Sequence, residues 1–199
     1  MFKKLASLGA VIAVLLALAG CGNDEPENQT QTASNGDEFN DADVEFATDM
    51  IQHHAQALQM VDLTIGRTLD PEVQQLAEDI RAAQAPEIEQ MTDWLTDWEQ
   101  PVPETVRDHA NAHGDGDMEM DSDMPGMMSE DQMAELEAAQ GEAFQNMWLE
   151  MMTEHHEGAV EMAKAEQSEG AFGPAIELAE EIESSQEDEI VQMEQLLSS

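Results

Sequence analysis

Cysteine, tyrosine and basic side chains are scarce in this sequence. Of 199 residues one is a cysteine, Cys21, and none is a tyrosine. A single cysteine excludes an intrachain disulfide and any metal site built on several thiolates, so a metal held by the folded part falls to histidine, methionine and carboxylates. Lysine and arginine number 6 against 45 aspartates and glutamates, which excludes the basic surface that a nucleic-acid partner requires. No G-x-S-x-G, H-E-x-x-H or phosphate-binding loop occurs, and the chain is not expected to be an enzyme. Beyond the leader nothing reads as a strand. The acidic residues make a solvated shell that concentrates cations near the surface.

What is present begins with that leader. Lys3 and Lys4 precede the run LASLGAVIAVLLALAG, which ends in LAGC at Leu18–Cys21. At about 16 residues it is short for a bilayer span. It looks like a secretory signal ending in a bacterial lipobox. The expectation is a signal peptide over 1–20, cleavage before Cys21 and lipidation of its thiol. The product is a membrane-anchored lipoprotein on the periplasmic or extracellular side of the cell envelope. Residues 21–40 are polar, without apolar periodicity, and read as a disordered tether.

From Asp41 the pattern is helical. At 100° per residue, Phe46, Ala47, Ala57, Val61, Thr64 and Ile65 lie within about 60° of Met50, and Gln52, Ala55 and Gln59 lie opposite. This predicts an amphipathic helix over about 41–68. Asp70–Pro71 opens a second helix that reaches about Trp98, with Pro86 expected to kink or break it. Residues 99–128, rich in proline, glycine and aspartate, read as a long loop. Ser129 with Gln132 forms a capping box that starts a short helix over 129–139. Gly141 separates it from a long helix over 141–167, and the turn EGAFGP leads to a last helix over 174–197.

One offset relates the two halves. It carries Met50 to Met152, His53 and His54 to His155 and His156, and Met60 to Met162. It continues through Ile80 to Ile182, Gln84 to Gln186, Ile88 to Ile190 and Met91 to Met193. A gapless internal repeat of this kind points to duplicated helical hairpins, 41–98 and 141–197, sharing one core. The fold class is all-α, a ferritin-like four-helix bundle over 41–197 with a short extra helix. Two connections remain open, a single long crossover or a plain up-down-up-down path.

The repeated phrase has a chemistry. His54 and His53 lie about 40° and 60° to either side of Met50, one on each flank of the core stripe. Met50 stands one turn before both and is placed to share an ion with either, and Met152 stands so before His155 and His156. Met151 is a turn before His155. Met60 lies about 10.5 Å along the axis from His53, so it needs a partner across the bundle or simply packs, and the same holds for Met162. Methionines at helical spacing, Met91 and Met193 among them, are commonly core filler. Buried imidazoles need partners or a metal to offset desolvation. Imidazole with thioether and no thiolate suits Cu(I), with Cu(II) or zinc as alternatives. A di-iron centre is disfavoured, because Met50, Ile51, Met152 and Thr153 stand where Glu-x-x-His would put carboxylates. In the loop, His109, His113, Met118, Met120, Met124, Met127 and Met128 form a second candidate set, read as exposed methionines without a packing role.

FATDMIQHHAQALQMV and FQNMWLEMMTEHHEGAVEMA, with MPGMMS between them, resemble the signature of the domain of unknown function 305 family, which includes CopM-like copper-binding proteins. The likeness covers about 40–197. It implies a ferritin-like bundle, export and, for some members, Cu(I) binding with Ag(I) as a mimic. By position it falls on Met50, His53, His54, Met60, Met152, His155, His156 and Met162. The leading expectation is a lipid-anchored copper-binding protein that sequesters the ion or hands it to a copper-handling partner. The alternative is a metal-free structural or protein-interaction helical module of the cell envelope.

Overall fold

A computed structural model describes residues 29–105 and 124–199. Its helices are α1 (Asp41–Asp62), α2 (Pro71–Asp97), α3 (Glu130–Ala138), α4 (Gly141–Glu169) and α5 (Gly173–Leu197). The protein is all-α apart from one short antiparallel ribbon, β1 (Gln31–Thr32) with β2 (Glu38–Phe39), in which Gln31 faces Phe39.

That ribbon corrects two expectations, the absence of strands and a disordered tether reaching residue 40. Asn35 and Gly36 make the turn, with Gly36 at φ 98° and the Asp37 amide donating to Asn35 Oδ1 at 3.0 Å. Its far end is held by an aromatic anchor, since Phe39 stacks on Trp98 with centroids 4.6 Å apart.

Helix boundaries follow their caps. Asn40 and Asp43 form a reciprocal capping box at the start of α1. The helix stops at Asp62, six residues before the expected end at 68. The Arg67 guanidinium takes up carbonyls there, donating to Leu63 at 2.7 Å, Ala139 at 2.6 Å and Glu137 at 2.8 Å. Ile65, expected on the core stripe, is therefore beyond the helix and exposed. Asp70 stands at the N-cap of α2 without a capping bond, because its carboxylate accepts from Gln145 Nε2 at 2.7 Å. α2 runs unbroken through Pro86, so the proline removes one ladder bond without ending the helix. Ser129 and Gln132 form the expected capping box on α3.

Three contacts set the topology. His53 meets His155, Trp148 Nε1 donates to the Met60 carbonyl at 3.0 Å, and Asp43 accepts from the Phe172 amide at 2.9 Å. As the chain advances along α1 its partners retreat from Phe172, just past the end of α4, to His155 and then Trp148 within it, so these two helices are antiparallel. α2 then ends at the lower end of the bundle, where α1 starts, and α4 starts at the upper end. The connection between them therefore joins opposite ends of the bundle, as the single long crossover of a ferritin-like fold does, and the up-down-up-down path is excluded. The two hairpins pair about a pseudo-two-fold axis.

Two apolar cores result. The upper one holds Met60, Leu76, Ile80, Leu136, Phe144, Trp148, Met152 and Met193. The lower one holds Phe46, Met50, Met91, Leu95, Trp98, Phe172 and Ile182. Each such side chain stabilises the fold by about 1.5–3 kcal/mol on full burial. Between the two cores each long helix passes through a break, from Ile51 to Ala57 on α1, Ile80 to Met91 on α2, Met152 to Ala159 on α4 and Ile182 to Met193 on α5, and the histidines lie in the breaks of α1 and α4.

Candidate metal centre

The layer between the cores takes His53 and His54 from α1, Gln84 and Glu87 from α2, His155 and His156 from α4, and Gln186 and Glu189 from α5. Each histidine falls within about one turn of the last apolar residue of one core and the first of the other, as with Ile51 and Ala57 around the first pair. The four imidazoles have no solvent exposure. His53 and His155 stack across the α1–α4 contact, with ring centroids 3.7 Å apart and planes tilted by 39°. His155 and His156 are 6.4 Å apart, centroid to centroid.

The outer two histidines are paired identically in both repeats. His54 Nε2 donates to Glu87 Oε2 at 2.7 Å, and His156 Nε2 donates to Glu189 Oε2 at 2.7 Å. Both carboxylates are 17% exposed and their histidines 0%. His53 Nε2 donates to the Pro125 carbonyl at 3.0 Å. Each of these three rings thus has its Nε2 tied to an oxygen, which places a proton on Nε2, so that in the neutral ring Nδ1 is the nitrogen with a free lone pair. No protein group meets Nδ1 of His53, His54 or His156, or either nitrogen of His155, and Gln84 Oε1 and Nε2 and Gln186 Oε1 are likewise unpartnered. An unsatisfied buried polar group costs about 1–3 kcal/mol, so concentrating these in one layer is expensive unless something binds there.

Electrostatics keep the inner pair neutral. Burial pushes the His53 imidazole down to about 3, His54 adds to the effect, and the bond to Pro125 opposes it. Burial, then the neighbouring histidines, puts His155 well below the usual range. Neutral imidazole is the metal-binding form.

A strap closes one face of the layer. Residues 124–128 pass over α1 and α4. The Met128 amide and carbonyl exchange bonds with the Gln56 side chain at 2.7 and 2.8 Å. Gly126, at φ 73°, lies against Gly158, where a Cβ on either residue would run into the opposing backbone. The duplication places Gly158 where the first repeat has Gln56, so the strap contacts both repeats at matching positions. Ala55, which was expected to face away from the core, is buried; it shares the side of α1 on which His54 and Asp62 bond to Glu87 and Arg81 of α2. Met124 and Met128 are buried as well, correcting the reading of these loop methionines as exposed and unpacked. Met127 is half-buried.

The predicted thioethers divide between the cores. Met50 and Met152 border the histidine layer from below and above. Met151 and Met128 join Met60 and Met193 in the upper core, Met91 lies in the lower core, and Met162 packs at its edge. Met162 also lines a separate cavity of about 120 Å³ beside Glu45, Asp49, Glu166 and Glu169. Cys21, His109, His113, Met118 and Met120 lie outside the described residues. Among the described residues no three His, Cys, Asp or Glu side chains converge as a metal cage, so the carboxylate set of a di-iron centre is not assembled. The donors that do fit the layer are imidazole Nδ1 and thioether sulfur, a soft set. Glu87 and Glu189 are not evident from the Glu-x-x-His spacing, which places a carboxylate one turn before a histidine on the same helix, whereas these two lie on the neighbouring helix. The repeat offset that matched Ile88 to Ile190 also matches these two glutamates.

Comparison with known proteins agrees with this architecture. The model of the domain of unknown function DUF305 matches residues 43–197. A DUF305 protein from Streptomyces coelicolor is 36% identical, with a TM-score of 0.67, over 79% of this chain and 92% of its own. A DUF305 fragment from Deinococcus radiodurans is 31% identical, with a TM-score of 0.67, over 84% and 99%. CopM in its Cu(I)-bound form is 27% identical, with a TM-score of 0.63, over 78% and 95%. CopM also has Cu(II)-bound and Ag-bound structures. No curated protein matches the chain. The chain belongs to the DUF305 family.

Proposed function

Starting from that membership, we propose that this protein is a copper-binding protein of the cell envelope that holds Cu(I) in the histidine layer and sequesters it or passes it on. One observation carries the reading. His53, His54, His155 and His156 present unpartnered nitrogens in a fully buried layer bordered by the thioethers of Met50 and Met152. Thioether and imidazole favour Cu(I) over hard cations, and Ag(I) is the natural mimic. Cu(II) or zinc through imidazole is the alternative cargo. The copper and silver forms of CopM support the reading by analogy.

The rest of the chain suits a binding role rather than a catalytic one. Its formal charge of −39 concentrates cations at the surface, and the four imidazoles of the layer are fully buried. The leader supports export and anchoring through a lipid on Cys21. Among the described residues no helix is long and apolar enough to cross a membrane.

The second reading, a metal-free structural module, has one observation in its favour. Glu87 and Glu189 already satisfy one nitrogen each of His54 and His156. Anaerobic Cu(I) titration against a chromophoric chelator separates the two. Wild type is expected to outcompete a variant with His53, His54, His155 and His156 all changed to alanine. Equal competition by both would leave only the structural module.

A further inference from the structure

The carboxylates opposite the outer histidines decide which nitrogen an ion can reach. Glu87 and Glu189 sit on α2 and α5, each the outer-helix partner of its own repeat, and hold Nε2 of His54 and His156 at the same 2.7 Å. The rings are fully buried and the carboxylates reach solvent. Each ring is therefore clamped from outside, with Nε2 toward the carboxylate and solvent and Nδ1 on the opposite side of the ring. A metal-binding histidine commonly has its other N–H anchored to an oxygen, which fixes tautomer and orientation and raises ligand basicity. His53 has the same arrangement with the Pro125 carbonyl. His155 has no bond of good geometry to either nitrogen, and the nearby His53 backbone only weakly opposes the effect of burial on its basicity.

We infer that Glu87 and Glu189 are positioning residues. They hold His54 and His156 in the Nε2–H tautomer, so that the layer takes its ion through Nδ1. They touch no ion themselves. The glutamates act before any ion arrives, and their loss leaves each ring free to turn or to move its proton to Nδ1. The inference rests on the copper-binding reading for its consequence, while the tautomer itself is a property of the metal-free protein.

The test uses the full chain, labelled with nitrogen-15, without metal and then with Ag(I). Long-range proton–nitrogen correlation is expected to show His54 and His156 as Nε2–H tautomers in the metal-free state. On adding Ag(I), Nδ1 of both should shift while Nε2 keeps its proton. Replacing both glutamates by alanine should mix the tautomers and weaken Cu(I) binding roughly 10–100-fold. The Glu87→Gln, Glu189→Gln variant keeps an acceptor oxygen and should restore the tautomer and most of the affinity. Nδ1–H tautomers in the wild type, or tautomers and affinity unmoved by the alanine variant, would overturn the inference. If Ag(I) and Cu(I) fail to bind while the tautomers are as stated, the copper reading fails and the positioning of the rings stands.

Discussion

The imidazoles of His53 and His155 stack 3.7 Å apart, centroid to centroid, in a part of the bundle that no solvent reaches. Two charged rings could not share that space, and burial holds both in the neutral form. The contact joins equivalent positions of the two repeats across the pseudo-two-fold axis. It makes the layer a feature of the paired hairpins rather than of either one, and its consequences can be measured.

Replacing His155 by leucine exposes the conflict between stability and binding. Neither His155 nitrogen has a partner, so His155→Leu is expected to raise metal-free stability by about 1–3 kcal/mol while weakening Cu(I) binding. Denaturant unfolding without metal gives the first quantity and chelator competition the second. Destabilisation with unchanged binding would mean that the ring is there to pack.

Acid should weaken the metal-free fold in a defined window. His53 is neutral in the folded state down to about 3, whereas in the unfolded chain it binds a proton near its ordinary 6.5. His155 shifts in the same direction. The unfolded state therefore holds more protons between these values, and stability falls as pH drops from about 6.5 towards 3. A His53→Leu, His155→Leu variant should lose that part of the slope. Melting temperature against pH, with chelator present, checks it.

Glu166 gives the opposite sign. Burial, followed by the neighbouring Asp43 carboxylate, raises its carboxyl to about 9. Folded Glu166 keeps its proton where the unfolded one has lost it. Its contribution is present below the ordinary carboxylate value and is lost as pH rises towards 9. Glu166→Gln keeps a donor for Asp43, and should stabilise the protein at pH 8 and flatten the alkaline limb of the same profile.

The strap can be lifted by a single methyl group. Gly158→Ala places a Cβ against the Pro125 carbonyl and 2.7 Å from the Gly126 amide nitrogen. It is expected to cost about 1–3 kcal/mol and to loosen the bond between Pro125 and His53. Gly173→Ala is the control, since nothing lies within 4 Å of its Cβ. Chemical denaturation of both variants, with amide exchange at Met128, reports the strap directly.

Much of this arrangement was legible in the residues because the duplication is gapless. Met50 to Met152 and His53 to His155 set one offset, and that offset implies two like hairpins facing each other. Periodicity centred on Met50 put Ala55 outside, but α2 packs on that flank of α1, where Asp62 meets Arg81, and Ala55 is buried. A strap of MPGMM has no period, and its burial depends on Gly126 meeting Gly158 from a distant part of the chain. The ribbon at 31–39 escaped notice because its stability comes from Phe39 on Trp98, a contact that spans the whole first hairpin. The partnership of Glu87 and Glu189 with the histidines is not legible within one helix, since each glutamate meets its histidine only when the hairpin closes.

The most direct measurement is an anomalous difference map of crystals loaded anaerobically with Cu(I). The expected result is copper in the histidine layer, bonded to imidazole nitrogens among His53, His54, His155 and His156, with Nδ1 as the bonded atom of His54 and His156. Copper found only on the acidic surface, or no copper while those four rings keep the contacts described above, would contradict a copper centre at the heart of the bundle.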